Sequence, residues 1–147
     1  MRERILRLSR DRAKLAADIV AMRERMAEGH ANRSALFDLK HDEGGMVDIE
    51  FAVQFIVLAH SHAHPQLTRN AGNIALLQMA ADAALLPPAL ARDAADAYRE
   101  YRRLQHQTRL TGAAHARVDP LPQRVRREAV TALWQHVFGG PRGESAR

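Results

Sequence analysis

Residues 46–63 read MVDIEFAVQFIVLAHSHA, and this stretch decides the fold. Val47, Phe51, Phe55 and Leu58 mark one helical stripe, while Ile49, Val53, Ile56 and Val57 cover much of the remaining circumference. A helix that is apolar nearly all round has no face to give to water and belongs at the centre of a bundle. Gly44-Gly45 opens the segment and Pro65 stops it, so a central helix is expected over residues 45–62.

Working outward, residues 30–44 are polar and aperiodic and read as a connecting loop. Before them Leu15, Ile19, Met22 and Met26 recur at spacings of four, three and four, which predicts a helix over 11–28 with Asp11 as its cap and Gly29 at its end. Downstream, NIALLQMAADAALL predicts a short apolar helix over 73–86, broken by Pro87-Pro88. A long amphipathic helix follows over 88–110, with Leu90, Ala94, Ala97, Tyr98, Tyr101, Leu104 and Thr108 on one face. Residues 112–122 read as a loop, and 124–138 as a closing helix with Val125, Ala129, Leu133, Trp134 and Val137 inward. Residues 139–147 are expected to form a disordered tail. Abundant alanine and short β-branched runs agree with an all-α fold, a helical bundle of about five helices in a single domain over 1–138.

The chain has 147 residues, enough for one core and little more. Its 46% hydrophobic and 27% charged content is that of a globular protein, not of a disordered chain or a membrane bundle. No apolar run is long enough to cross a bilayer, and MRERILRLSR is too charged for a secretory signal, so a cytoplasmic setting and no membrane partner are expected. With no cysteine, disulfides, thiolate metal sites and cysteine nucleophiles are excluded. The formal charge of +5 is unevenly spread: residues 1–29 carry +3, 30–64 carry −3, 65–97 carry −1 and 98–147 carry +6. An acidic middle between basic ends either pairs internally or leaves the basic end facing an anionic partner. Only Lys14 and Lys40 are lysine among 22 cations.

The stretch 37–54, FDLKHDEGGMVDIEFAVQ, resembles a signature that follows the nucleotidyltransferase domains of bifunctional glutamine synthetase adenylyltransferase/adenylyl-removing enzymes. The likeness continues through His64-Pro65-Gln66-Leu67-Thr68, through 70–77 (NAGNIALL), and through Ala97-Tyr98-Arg99 to Leu104-Gln105-His106. It also touches MRERILR and 22–26 (MRERM), so it covers nearly the whole chain. In that family each catalytic domain is followed by a helical domain, one half attaching AMP to a tyrosine of glutamine synthetase and the other removing it by phosphorolysis. The resemblance implies the last helical domain, that of the adenylylating copy. It implies glutamine synthetase, a PII signalling protein and the nucleotidyltransferase domain of the same polypeptide as partners, and Mg and ATP as cofactors of the full-length enzyme, with none expected for this segment alone. The family's catalytic domain holds its metals with an Asp-x-Asp pair. That pattern occurs nowhere in these 147 residues, so the segment is expected to be inactive by itself. The alternative is a free-standing interaction module that binds PII or glutamine synthetase.

Several residues invite functional readings beside structural ones. Asp48 and Glu50 lie about 200° apart around a helix and cannot form a carboxylate pair with each other. Asp48 fits the first turn, where the dipole and open N–H groups favour a carboxylate. Glu50 and Gln54 share a polar stripe; either an arginine from the basic helix neutralises Glu50, or the stripe faces the missing nucleotide site, which would make Asp48 and Glu50 catalytic helpers. Gly44 and Gly45 at a helix start can expose amides to an anion that Lys40 and His41 also reach, or the four are a solvated loop. His60, His62 and His64 suggest a metal, but Pro65 ends the helix there and no carboxylate shares the turn, so no metal is expected. Arg99, Arg102, Arg103, His106 and Arg109 form a basic stripe, supported by Arg124, Arg126 and Arg127. It is either a face paired with the acidic middle or a contact for phosphate or a partner protein. Without a recognition-helix motif, nucleic acid is not the expected partner.

Overall fold

The computed structural model describes residues 2–68 and 71–139. Its elements run in chain order α1 (Arg2–Gly29), β1 (Phe37–Asp38), α2 (Met46–His60), α3 (Asn73–Asp82), α4 (Pro88–Leu110), β2 (Arg117–Val118) and α5 (Arg124–Phe138), with short 3-10 turns at Pro65–Thr68 and Leu121–Gln123. Among the described residues the fold is all-α, a bundle of five helices around α2, as the apolar circumference of that helix requires. Residues 140–147, where most of the expected tail falls, lie outside the described residues.

Two clusters make the core. The larger joins Ile49, Val53 and Ile56 of α2 to Leu77 and Ala80 of α3, Tyr98 and Tyr101 of α4, and Val130 and Leu133 of α5. Ala91, Ala94 and Ala97 are all buried, and their small side chains let the neighbouring helices approach α4 closely. In the smaller cluster Ile19 of α1 meets Val47, Phe51 and Phe55 of α2 and Trp134 of α5. The Phe138 ring closes it, 4.3 Å from Trp134 and 5.3 Å from Phe55. Met22, Leu58 and Val125, expected inward, are exposed at 46%, 55% and 74%. α1 and α5 are buried on narrower arcs than their apolar residues would allow, because α1 leans on the smaller cluster and the buried arc of α5 is centred on Val130, Leu133 and Trp134.

Helix ends also differ from the sequence expectation. α1 begins at Arg2, so Asp11 lies inside it rather than capping it. α3 closes at Asp82 instead of running to 86. There Ala84 takes φ 61°, its N–H donates to Ala81 O, and the Leu85 N–H donates to Ala80 O, 2.9 Å. This is the paired bonding of a Schellman stop, and it turns Leu86 into the core at 3% exposure. Pro87-Pro88 then sets Pro88 at the first position of α4, where a missing N–H costs nothing.

The expected loops are not simple connectors. Phe37 and Asp38 pair antiparallel with Val118 and Arg117, joining segments 80 residues apart. Phe37, Asp38 and Leu39 are buried, so the middle of the 30–44 segment is core and not a solvated linker.

Candidate functional site

The signature segment folds as a tight knot against three helices. Its chain reverses between Leu39 and Met46, and the opening amides of α2 are satisfied inside the turn: Gly45, Met46 and Val47 donate to the carbonyls of Asp42, Leu39 and Lys40 at 2.9, 2.8 and 3.0 Å. The Gly44 N–H donates to Asp48 Oδ2 at 2.8 Å. All four amides of the helix start are therefore engaged internally, at the place where an anion was one expected reading. Glycine is needed here for a different reason. Gly44 holds φ +83°, and an added Cβ would lie 3.0 Å from Arg127 Cβ; a Cβ on Gly45 would lie 2.7 Å from the Leu39 carbonyl oxygen.

Asp48 is 1% exposed. Its Oδ1 accepts from Arg23 Nε of α1 at 2.7 Å, and Arg23 Nη2 continues to the His41 carbonyl at 2.5 Å. Arg23, itself 3% exposed, is a site residue that the sequence reading missed. The signal was available, since a cation at 23 lies one residue beyond Met22 on the edge of the apolar stripe of α1. Asp38 accepts the Lys40 and His41 amides at 3.0 Å each, and Asp42 accepts the Asp38 amide at 2.9 Å and Asn32 Nδ2 at 2.8 Å. From α4, the fully buried Tyr101 donates its hydroxyl to Gly44 O at 2.9 Å, and burial holds that phenol well above its usual range. From α5, Arg127 donates to Glu43 O and lies 4.3 Å over the Phe37 ring.

Glu50 faces a different neighbour. Its carboxylate accepts the Tyr98 hydroxyl at 3.2 Å, and Asn73 Nδ2 donates to the same hydroxyl at 3.2 Å. The expected arginine is not the partner; a tyrosine supplies the hydrogen bond, because Glu50 points at the buried face of α4 while the arginines occupy its outer face. Burial and, after it, the Glu50 charge push the Tyr98 hydroxyl up, keeping it a donor. Gln54 is exposed one turn along.

The basic stripe of α4 is exposed and only partly neutralised. Arg99 pairs with Asp96 at 2.9 Å, and Arg103 pairs with Glu100 through its guanidinium fork. These partners lie three residues back on the same helix, not in the acidic middle segment. Arg102, His106 and Arg109 join no ion pair among the described residues. A concavity of about 460 Å³ runs along this stripe, bounded by Ile74. Lys40 is exposed and His41 half-buried, its ring stacked 3.9 Å from that of His30. Burial, followed by the His30 charge, lowers the His41 pKa.

α2 ends at His60, so His62 and His64 lie beyond it. Among the described residues no group of three or more His, Cys, Asp or Glu side chains could hold a metal ion, and no helix is long and apolar enough to cross a membrane.

The family model described as GlnD PII-uridylyltransferase matches residues 13–138. Proteins named bifunctional glutamine synthetase adenylyltransferase/adenylyl-removing enzyme are similar to this chain: 51% identical over 139 residues in Burkholderia mallei, 50% over 135 in Aromatoleum aromaticum and 55% over 139 in Ralstonia nicotianae. These matches take in 92–95% of this chain but only 14–15% of each relative. The chain thus spans about a seventh of the length of those relatives. On the match across 13–138, the chain belongs to the family that the GlnD PII-uridylyltransferase model describes, and it is similar within it to the bifunctional glutamine synthetase adenylyltransferase/adenylyl-removing enzymes.

Proposed function

We propose that this chain is the helical domain that follows the nucleotidyltransferase domain in the adenylylating half of such an enzyme, and that it serves that domain as a docking and signal-carrying unit. Identity near 50% along almost the whole chain carries this reading. The geometry of the signature supports it: Asp48 is sealed from solvent, and the segment's polar groups hold α1, α4 and α5 together. Asp48 is then a strut, and Glu50, half-buried beside Tyr98, is the carboxylate of the two with surface left to meet a neighbouring domain. Mg and ATP act at the catalytic domain, and glutamine synthetase in the cytoplasm is the acceptor. The partly unpaired arginine stripe of α4 is the surface offered to a PII protein.

Adenylyl transfer to glutamine synthetase tests the reading in a full-length relative with and without this segment. Loss of the response to glutamine and PII, with basal transfer retained or reduced, is the expected result; an unchanged response overturns it. Calorimetry of this chain with PII separates the partner surface, since Arg99→Glu and Arg103→Glu should abolish heat that the parent chain gives. Unchanged affinity in both would remove the stripe from that role.

A further inference from the structure

The fold brings together two groups of residues that lie far apart in sequence. Beside the basic concavity of α4 is a smaller, more enclosed cavity of about 180 Å³, between the 38–41 turn, the last turns of α4 and residues 113–116. Gln105 and Arg109 line both. The two spaces are therefore adjoining parts of one surface, with Arg109 between them, Lys40, His41 and His115 on one side and Arg102 and His106 on the other.

The charge of this surface is not internally compensated. Asp38 is the carboxylate on the wall of the smaller cavity, and it is already occupied by the Lys40 and His41 amides and, at 3.6 Å, by Arg117. Arg99 and Arg103 are matched by Asp96 and Glu100, whereas Lys40, Arg102 and Arg109 have no carboxylate partner among the described residues. His41 lines the smaller cavity too, and its buried Nδ1 has no hydrogen-bond partner among the described residues. A buried ring nitrogen without a partner costs free energy unless a ligand or water completes it. Arg102 and Arg109 stand two turns apart on one helix face, about 10 Å. That separation suits a chain of anionic groups better than a single small ion, and guanidinium forks suit phosphate oxygens.

We propose that this surface binds an oligophosphate, free or as the tail of a nucleotide, with its terminal phosphate in the cavity beside His41, Lys40 and His115 and its chain crossing Arg109 towards Arg102. Every residue that lines it belongs to this chain, so the 147-residue chain by itself is the object to test.

Calorimetric titration with inorganic tripolyphosphate should show saturable one-to-one binding that weakens with added salt. Arg109→Gln should weaken it tenfold or more, whereas Arg124→Gln, an exposed arginine of α5 lining neither cavity, should leave it unchanged. Arg102→Gln should weaken tripolyphosphate but not orthophosphate, because only the longer chain reaches it. Circular dichroism confirms that each variant is folded, and Arg109→Lys should restore part of the loss. A nucleoside triphosphate that binds as tightly as tripolyphosphate assigns the site to the phosphate chain, and one that binds more tightly assigns it to the nucleotide. Absence of saturable heat, or equal losses in Arg109→Gln and Arg124→Gln, overturns the proposal and leaves this face to protein contacts alone.

Discussion

Arg23 of α1 and Asp48 of α2 form a buried ion pair across 25 residues, Nε to Oδ1 2.7 Å, with 3% and 1% of their side chains exposed. The same arginine holds the His41 carbonyl, and the same carboxylate holds the Gly44 amide, so one contact fixes α1, the turn and the start of α2 together. Removing either partner leaves the other charged and buried, which costs about 3–5 kcal/mol. Arg23→Leu and Asp48→Asn are each expected to lower urea stability by that order. The double variant should cost clearly less than the two losses added, because no charge is then stranded. Single losses below about 1 kcal/mol would show that water or a neighbour replaces the missing partner.

That pair marks where the sequence stops being legible. The helices announced themselves: α4 and α5 have the bounds their periodicity predicts, and the all-round apolar pattern of α2 correctly made it the central element. Long-range polar pairing left no such period. Arg23 looks like any cation in MRERM, and Phe37-Asp38-Leu39 sit in a polar stretch whose pairing with Arg117-Val118 no local pattern encodes. Asp48 falls in the first turn as the helix dipole suggests, but its arginine and the tyrosine partner of Glu50 depend on how helices face one another.

Gly44 and Gly45 give a sharper test of the turn than any charged residue. Gly44→Ala forces a left-handed residue to carry a Cβ, about 1–2 kcal/mol, and drives that Cβ against the backbone of α5 at Arg127. Gly45→Ala puts its Cβ against the Leu39 and Asp42 carbonyls that cap α2, at 2.7 and 2.9 Å. Each is expected to lose about 2 kcal/mol or more of stability, in the range of overpacked sites. Gly29→Ala, with nothing within 4 Å, should stay within about 0.5 kcal/mol. A penalty at Gly29 equal to those at the turn would show that loss of glycine flexibility, and not the contacts, sets the cost.

Acid should weaken the fold through His41. Its folded pKa lies below the ordinary histidine value of 6.5, because burial and the stacked His30 disfavour the imidazolium. Between that lowered value and 6.5 the unfolded chain binds more protons, so stability rises with pH there; it is fully present above 6.5 and lost as pH falls through the folded value. His60 shifts in the same direction by burial and the Arg12 charge. Urea midpoints followed from about pH 7.5 down to about pH 5 should therefore fall, and His41→Gln should flatten part of that slope. An identical slope in His41→Gln would assign the whole effect elsewhere.

The stop of α3 offers a stabilising change. Ala84 carries φ 61° without the glycine that such a position favours, while its neighbours complete both bonds of the motif. Replacing it by glycine removes left-handed strain of about 1–2 kcal/mol, offset by the larger entropy of an unfolded glycine, about 0.4–1 kcal/mol. Ala84→Gly is thus expected to stabilise by roughly 0.5–1 kcal/mol, read as a higher urea midpoint at unchanged slope. Ala84→Val, branched at Cβ, should do the reverse. If glycine were instead to destabilise, the connection into Pro87-Pro88 would have to be holding Ala84 in a conformation that alanine tolerates without strain, and Leu86 would be the residue whose burial sets the turn.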